Sequence, residues 1–332
     1  MREEYASYIE KALREIPDGT FLLYQHNAKD DACVLPVESV VIQSKGKGKI
    51  ESFLLFPGIE ISHHRYLAQR VRFHHEAKDF VLEMNHCGKG RIGWNMDGGQ
   101  AIYLGQGDLC IHSTASCANS EMTLPLGYYE GITVTVDLQQ LQTSCPEVLR
   151  QAGFEADRMY QTFCATGKPT GILSNDAIER AFAPLYDLPE GLRVPYYKLK
   201  TQEILLYLLQ WKTGSESGLN PYGSEQTERI REIHDFLIAH LDQRFTIEEL
   251  SKKYLLNTAS LKTVFRAVYG MPIASYVKEC RMQRAMQLLR DTDDTIAAIA
   301  QEVGYETQSK FTKAFKERMQ ILPTEYRKLY AK

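Results

Sequence analysis

The stretch from Thr246 to Arg327 contains the same pattern twice. Four residues recur 49 positions later, identical or conservatively changed: Thr246, Ile247, Leu250 and Ser251 correspond to Thr295, Ile296, Ile299 and Ala300. Four more recur 50 positions later: Leu261, Phe265, Arg266 and Tyr276 correspond to Phe311, Phe315, Lys316 and Tyr326. An internal repeat of this kind indicates one supersecondary unit that is used twice.

Each copy has the pattern of a helix-turn-helix. In the first copy, apolar or small residues fall at i, i+3, i+4 and i+7 from Ile247, and the same spacing starts again at Leu261. Asn257 or Thr258 can cap the second helix of the first copy, and Thr307 can cap that of the second. A plain helical bundle is the alternative, but two copies in register with polar outer faces favour DNA binding.

Charge is distributed unevenly, although the whole chain has a net charge of −3. From residue 225 to the end there are 18 Lys or Arg and 15 Asp or Glu, whereas the rest of the chain has 21 and 27. Between Lys252 and Arg290, eight basic residues accompany a single acidic residue, Glu279. This asymmetry is typical of an anion-binding module attached to a neutral or acidic domain.

Composition is that of a globular protein of about two domains, with 44% hydrophobic and 24% charged residues. Seven cysteines without a C-x-x-C pair argue against a disulfide framework and for a reducing compartment. The charged N-terminal stretch does not resemble a signal peptide, and no apolar run approaches the ~18 residues of a membrane span. We therefore expect a cytoplasmic protein with no membrane partner.

The first part of the chain has the period of β-strands. Between Ile132 and Leu138, apolar residues alternate with polar ones, which predicts a half-buried strand. Shorter strands are predicted at Val37–Ile42, Phe53–Phe56, Leu67–Phe73, Phe80–Met84, Ala101–Leu104 and Leu109–His112. Glycine-rich turns separate them, so we expect a sandwich or a small barrel that can enclose one small ligand.

The pattern becomes helical from Pro146, and Tyr197–Trp211 carries an apolar stripe. That stripe packs on its own domain or forms a homodimer interface, and both alternatives remain open. Residues 212–225 are rich in Gly, Ser, Asn and Pro, which is typical of a linker. The predicted organisation is α+β: a β-rich domain over 1–145, a helical extension over 146–212, a linker over 213–224 and an all-α double helix-turn-helix domain over 225–332.

Enzymatic motifs are not evident. Gly88–Gly93 matches G-x-G-x-x-G, but the following residues, Trp94–Gly99, indicate a hairpin instead of the helix that a dinucleotide site needs. G-x-S-x-G is absent, and no Cys/His or carboxylate pair stands out as a nucleophile or acid–base pair. No catalytic residue is predicted.

Histidines cluster in the β-rich part, at His63, His64, His74, His75, His86 and His112. Imidazoles together with a carboxylate can bind a divalent metal. Adjacent histidines on a strand point to opposite faces, so each pair offers one ligand to the interior. Because H-x-H, H-E-x-x-H and paired cysteine spacings are absent, ordinary core or surface histidines are favoured, and neither a metal nor a cofactor is predicted.

Three aromatic residues are candidates for lining an effector pocket: Trp94, Tyr128 and Tyr129. Aromatic rings bury a large area and commonly line ligand sites. Burial in an ordinary core explains them equally well.

The repeat resembles the C-terminal domain of AraC/XylS-type transcription regulators. The family pattern is met by Ile296, Ile299, Ala300, Gly304, Tyr305, Thr307, Phe311, Phe315, Lys316, Pro323, Tyr326 and Arg327. The departures are Ser251 for the usual Ala, Leu255 for Gly and Gln320 for Gly. The N-terminal part resembles, through GKGRIGW, YLGQGDL and LPLGYYEGI, the cupin-like β-barrel sensor of the siderophore-regulator branch.

The resemblance implies roles for individual residues. Base reading is carried over to Ala259, Lys262 and Thr263 in the first copy and to Gln308, Ser309, Lys310, Thr312 and Lys313 in the second. Phosphate contacts are carried over to Thr246, Arg266, Thr295, Lys316 and Arg327. These residue types suit their roles, because Lys donates to guanine, Gln pairs with adenine and small side chains meet the thymine methyl.

The expected function is therefore a ligand-responsive transcription regulator. Its expected partners are double-stranded promoter DNA, RNA polymerase and a small-molecule effector. The alternatives are a cupin-type metal-dependent enzyme with an accessory DNA-binding module, and a scaffold whose helices bind only protein.

Overall fold

The structure is a computed structural model that describes residues 8–27, 34–36, 40–96, 99–211, 219 and 221–331. The chain divides into two compact units, Met1–Ser224 and Glu225–Lys332. Most of the predicted linker, residues 212–218 and 220, lies outside the described residues, as does the start of the strand predicted from Val37. The mixed α+β class is confirmed, because the first unit is β-rich and the second is helical.

The described part of the N-terminal unit contains thirteen strands. They are β1 Phe21–His26, β2 Val41–Gln43, β3 Lys47–Phe56, β4 Ile59–Leu67, β5 Arg70–His74, β6 Val81–Gly90, β7 Ile92–Met96, β8 Gln100–Leu104, β9 Leu109–Ser113, β10 Asn119–Thr123, β11 Tyr128–Asp137, β12 Thr170–Ile172 and β13 Tyr222–Gly223. Each predicted strand that the structure describes coincides with at least part of one of these. The residues after the G-x-G-x-x-G match form β7 and not a helix, as predicted.

The strands form two sheets and not one closed barrel. One sheet has seven strands in the order β1-β3-β4-β11-β6-β9-β12, and the other has six in the order β13-β8-β7-β10-β5-β2. Closure of a barrel requires the first and last strands to pair, whereas each sheet here keeps two edges within the described part of the chain. The sheets pack face to face, since one apolar cluster contains Ile50 and Tyr66 from the first and Trp94 and Met122 from the second.

Strand β11 is buried on both faces, which corrects the prediction of a half-buried strand. Nine of its ten residues are buried. Ile132, Val134 and Val136 join an apolar cluster with helices, while Thr133 and Thr135 line a cavity between the sheets. The strict alternation remains, but the polar side faces a closed interior instead of solvent.

The described part of the N-terminal unit has six α-helices: α1, described over residues 8–12, α2 Leu138–Ser144, α3 Glu147–Gln151, α4 Ala156–Phe163, α5 Asp176–Phe182 and α6 Arg193–Leu209. Helix α6 corresponds to the predicted apolar helix. Its residues Ile204, Leu205 and Leu208 are buried in the same cluster as β11. The apolar stripe of α6 therefore packs against its own domain. Leu199 is the exception, because its side chain is 66% exposed.

The C-terminal unit consists of α7 Ser224–Ala239, α8 Ile247–Lys253, α9 Thr258–Tyr269, α10 Ile273–Asp291, α11 Ile296–Glu302, α12 Gln308–Met319 and α13 Pro323–Tyr330. Helix α7 precedes the first copy of the repeat. Helices α8–α9 and α11–α12 are the two helix-turn-helix copies, and α10 joins them. None of the described helices has the length and hydropathy needed to cross a bilayer.

Both copies place left-handed backbone at equivalent positions. The turn residue is Leu255 (φ 53°) in the first copy and Gly304 (φ 75°) in the second. The residue after the second helix is Gly270 (φ 80°) in the first copy and Gln320 (φ 63°) in the second. Each copy thus has one glycine and one side-chain residue in a conformation that costs a non-glycine residue ~1–2 kcal/mol.

We predict that Leu255→Gly stabilises the C-terminal unit by up to ~1 kcal/mol, because it relieves this backbone cost. Little packing is lost, since Leu255 is 83% exposed. The opposite change, Gly304→Ala, should destabilise by more than ~1 kcal/mol, because the new Cβ would lie 2.4 Å from the Leu241 carbonyl oxygen. Calorimetric unfolding of the full chain measures both changes, and a less stable Leu255→Gly variant would contradict the backbone argument.

Candidate nucleic-acid interface

The second helices of the two copies are built alike. Helices α9 and α12 have 12 residues each and begin 50 positions apart. The Asn257 side chain accepts a hydrogen bond from Ser260 N at 2.7 Å, and Thr307 accepts one from Lys310 N at 3.2 Å. Of the two cap candidates in the first copy, Asn257 is therefore the cap. Capping satisfies backbone donors that would otherwise lack partners and so fixes where each helix begins.

The eight residues predicted to read bases lie in the first two turns of α9 and α12. Seven of them are exposed, and Thr312 is half-buried: the exposed ones are Ala259, Lys262, Thr263, Gln308, Ser309, Lys310 and Lys313. The opposite faces of the same helices are buried, with Leu261 and Phe265 in α9 and Phe311 and Phe315 in α12. Each helix therefore presents a polar face to solvent at its N-terminal end.

An acidic residue that the sequence reasoning missed lies at the start of α12. The Lys310 ammonium binds the Glu306 carboxylate, and Arg244 Nη1 lies 3.6 Å from the same group. The hydrogen bond from Lys310 lowers the pKa of Glu306. The first copy has Leu256 at the equivalent position, so comparison of the copies shows a local charge difference between the two polar faces.

Four of the five predicted phosphate residues are exposed at equivalent places in the two copies. Arg266 and Lys316 lie 50 positions apart on α9 and α12. Thr246 and Thr295 cap α8 and α11, accepting hydrogen bonds from Glu249 N at 3.2 Å and Ala298 N at 3.1 Å. The Thr295 hydroxyl accepts a hydrogen bond there and can still donate its proton to a phosphate oxygen, whereas the Thr246 backbone N–H and hydroxyl both bond to the Glu249 carboxylate and lower the pKa of that group.

The fifth predicted phosphate residue, Arg327, makes structural contacts. Its Nε donates to the Leu289 carbonyl at 3.4 Å, and its Nη2 donates to the Asp294 carbonyl at 2.5 Å. These bonds link α13 to the end of α10. The sequence pattern did not indicate this role.

A buried arginine on α10 connects the two copies. Arg281 Nη2 donates to the Gln243 carbonyl at 2.7 Å, just before the first copy, and Nη1 donates to the Gly304 carbonyl at 3.3 Å, in the turn of the second. Burial lowers the pKa of this guanidinium. Gly304 permits the contact, because a Cβ there would lie 2.6 Å from Nη2. Arg281 has no counterpart in the repeat pattern, so the sequence alone did not reveal it.

A cavity of about 100 Å³ lies between the two sheets of the N-terminal unit. Trp94 and Tyr129 line it, whereas Tyr128 packs in a separate cluster with Ile9 and Leu13. Glu60 also lines the cavity, and burial raises the pKa of its carboxyl group. Of the three aromatic candidates, two are thus brought together at one cavity.

The paired histidines behave as predicted for strand residues. His64 and His75 line the cavity, while His63 binds Glu130 and His74 binds Asn119 on the other faces. In the same unit, the ligand atoms of three residues lie within 4.8 Å of one another: Glu83, His112 and Cys117. Cys117 follows His112 by five positions, but Glu83 lies 29 positions before His112, so the sequence did not indicate that the three come together.

Comparison with known proteins concerns the C-terminal part of the chain. Residues 250–329 match the family described as a helix-turn-helix domain. The HTH-type transcriptional activator RhaR of Mannheimia succiniciproducens is 29% identical over 31% of this chain and 38% of its own length. An uncharacterised HTH-type transcriptional regulator of Haemophilus influenzae is 33% identical over 38% and 42%. The solved C-terminal domain of AraT from Geobacillus stearothermophilus is 28% identical, with a TM-score of 0.30 over 31% of this chain and 87% of that one.

The chain spans less than half the length of these two curated relatives. Both are transcription regulators and not enzymes. The fold and the two polar-faced helices define a double helix-turn-helix protein. Its C-terminal unit matches the helix-turn-helix domain family over residues 250–329 and is similar to the HTH-type transcription regulators named above.

We predict that Arg281→Met destabilises the C-terminal unit by ~1–3 kcal/mol, because the carbonyls of Gln243 and Gly304 lose their donor. Lys278→Met is the matched control on the same helix, since Lys278 is exposed and should change stability by no more than ~0.5 kcal/mol. Calorimetry of the full chain measures both variants. Equal effects of the two substitutions would show that Arg281 does not connect the copies.

Proposed function

We propose that the chain is a sequence-specific DNA-binding transcription regulator that responds to a small molecule bound in its N-terminal unit. The observation that carries the proposal is the pair of equivalent helices, α9 and α12, each capped at its start and each presenting polar side chains there. A helix of this kind enters the major groove with its N-terminal residues against the base edges. The excess of positive charge after residue 225 supports the same conclusion.

The two helices have different reading chemistry in this proposal. In α9, Lys262 donates to guanine, and the small residues Ala259 and Thr263 contact thymine methyl groups. In α12, Gln308 pairs with adenine and Lys313 donates to guanine, with Ser309, Lys310 and Thr312 beside them. Lys310 must exchange its ion pair with Glu306 for a base or phosphate contact, so its net contribution should be smaller than that of Lys313.

The part of the affinity for DNA that does not depend on base sequence is assigned to exposed groups next to the polar faces of α9 and α12. Arg266 and Lys316 neutralise phosphates, and the hydroxyls of Thr246 and Thr295 donate to them. Helix α10 holds the readers about one DNA turn apart, ~34 Å. If the DNA must bend to meet both, the deformation costs of order 1–6 kcal/mol and makes affinity depend on bases that are not contacted.

The N-terminal unit is proposed as the sensor. The division into a cupin-like sensor over 1–145, a helical extension over 146–212 and a linker over 213–224 belongs to this proposal, as does the likeness to siderophore regulators. The cavity between the sheets would hold the effector, with Trp94 and Tyr129 against it. Effector binding would change the affinity for DNA or the contact with RNA polymerase, in the cytoplasm, by its differential affinity for two states.

We predict that Lys313→Ala relaxes base preference at one operator position by ~1–3 kcal/mol, because it removes a base-edge donor. Arg266→Ala should weaken specific and random duplexes alike and reduce the salt slope by about one unit, because it removes a phosphate contact. Fluorescence anisotropy with the promoter region and a scrambled duplex, over a range of salt concentrations, separates the two effects.

Lys328→Ala serves as a control, because Lys328 is exposed on α13, outside both reading helices. It should leave specificity unchanged. The assignment of roles is wrong if Lys313→Ala and Arg266→Ala act identically on specific and random DNA. The proposed function itself is wrong if the intact chain shows no preference for any duplex at low ionic strength.

A further inference from the structure

We propose that Glu83, His112 and Cys117 form a binding site for a divalent transition-metal ion of the zinc type, with His75 next to it as a fourth donor. The site belongs to the N-terminal unit and opens on the cavity between its sheets, since Glu83, His75 and Cys117 all line that cavity. The proposal goes beyond regulation of transcription, and it does not depend on DNA binding.

The fold brings the three ligands together through strand register. Glu83 on β6 is the direct partner of His112 on β9. Cys117 follows a single 3₁₀ turn, Thr114–Ser116, that directly continues from the end of β9. Buried backbone therefore fixes the position of each ligand, and the side chains of His112 and Cys117 are themselves buried. A site on rigid elements holds its ligands with little loss of conformational entropy on metal binding.

The distances between donor atoms suit a tetrahedral ion. Cys117 Sγ lies 3.6 Å from Glu83 Oε2 and 3.6 Å from His75 Nε2, and His112 Nε2 lies 3.9 Å from Glu83 Oε2. Zinc bonds of ~2.3 Å to sulfur and ~2.0 Å to nitrogen or oxygen place tetrahedral ligands ~3.3–3.6 Å apart. The three distances above lie close to this range, and the ligand atoms of Glu83, His112 and Cys117 all lie within 4.8 Å of one another, so small side-chain adjustments would bring these three around one ion.

The hydrogen bonds of the imidazoles leave the required lone pairs. Nδ1 of His75 donates to the Glu76 carbonyl at 3.0 Å, and Nδ1 of His112 donates to the Ser113 carbonyl at 3.0 Å. A carbonyl oxygen only accepts, so the proton of each neutral ring is on Nδ1 and Nε2 carries the lone pair. Metal-bound histidines are oriented in this way by a partner at the other nitrogen.

A metal ion bound to His112 would have to displace a hydrogen bond that Asn85 makes to the same ring nitrogen. Asn85 Nδ2 donates to His112 Nε2 at 3.0 Å, while its Oδ1 accepts the Thr133 hydroxyl at 2.7 Å. An ion at the site would replace the first bond and leave the second intact. The exchange is favourable when the ion gains the charged donors Glu83 and Cys117 in addition to His112, because a single amide donor offers only a neutral hydrogen bond.

The lining of the cavity also favours a cation at this site. Two carboxyl groups, Glu60 and Glu83, line the cavity, and no Lys or Arg is among the described residues of its wall. Burying uncompensated negative charge is costly. A divalent ion would balance the Glu83 carboxylate and a Cys117 thiolate together. The mixture of nitrogen, sulfur and oxygen donors selects zinc or cobalt over magnesium and calcium.

The alternative is a simple hydrogen-bonded cluster in which the Cys117 thiol donates to Glu83. Co²⁺ distinguishes the two, because a cobalt–thiolate bond gives a near-ultraviolet charge-transfer absorption that a hydrogen bond does not. We expect the full chain, stripped with a chelator, to bind one Co²⁺ with this band and to release it when Zn²⁺ is added. The metal should also raise the melting temperature of the N-terminal unit, because it binds the native state.

Cys117→Ser should abolish the charge-transfer band. Cys164→Ser is the matched control, because Cys164 is 5% exposed like Cys117 but belongs to the helical cluster, and it should keep the band. Glu83→Gln retains the side-chain shape and should weaken Co²⁺ binding by at least ~10-fold. Near-ultraviolet circular dichroism of each metal-free variant establishes that it is folded.

The proposal is overturned if the stripped wild-type chain takes up no Co²⁺, or if the band survives Cys117→Ser. Should Cys117→Ser fail to fold, the decision falls to Glu83→Gln. Unchanged Co²⁺ affinity in that folded variant would also overturn the site. Because none of these measurements involves DNA, failure of the metal site and failure of the regulatory function remain distinguishable.

Discussion

Burial of one face of α9 and of α12 determines which side chains the other face of each helix can present. In α12, Phe311 and Phe315 are fully buried, and in α9 Leu261 and Phe265 are as well. Each such side chain contributes ~1.5–3 kcal/mol when it leaves water, so rotation of either helix about its axis would cost several kcal/mol. An α-helix is rigid over three turns. The core therefore fixes the direction of Lys262 and Lys313 through the helices that carry them.

The turn between the two helices of each copy imposes a second constraint, on the backbone conformation. Leu255 and Gly304 make the same left-handed turn, although only glycine does so without steric cost. The glycine is in the copy where Arg281 approaches the turn, whereas the leucine is in the copy where the side chain is 83% exposed. Divergence between the copies is thus explained by packing. The turn of the second copy needs glycine both for its positive φ and because Arg281 packs close to it. The turn of the first copy needs only the positive φ, which Leu255 adopts.

A structural feature could be predicted from the sequence when the residues that cause it are close together in the chain, and could not when they are far apart. Helices α9 and α12 were predicted because caps and a period of 3.6 act within one helix. For β11, the alternation was visible, but burial of both faces depends on α6 and on the facing sheet, which no local pattern encodes. Arg281 was missed because its acceptors are backbone carbonyls 38 and 23 positions away. Glu83 and His112 come together because β6 and β9 pair in one particular register, and no local pattern in the sequence indicates that register.

The two units place their polar groups in different environments, and this difference suits the sensing proposed for the N-terminal unit and the base reading proposed for the C-terminal unit. Lys313 and Arg266 are exposed, so water screens each interaction with a polyanion and affinity must come from many contacts that depend on salt. Glu83 and Cys117 line a cavity between the two sheets, where the proposed ion or effector would interact more strongly than at the surface because the surroundings are less polar than water. A single small ligand can then supply the free energy that shifts a two-state equilibrium, since each 1.4 kcal/mol of differential binding, roughly, changes the populations tenfold.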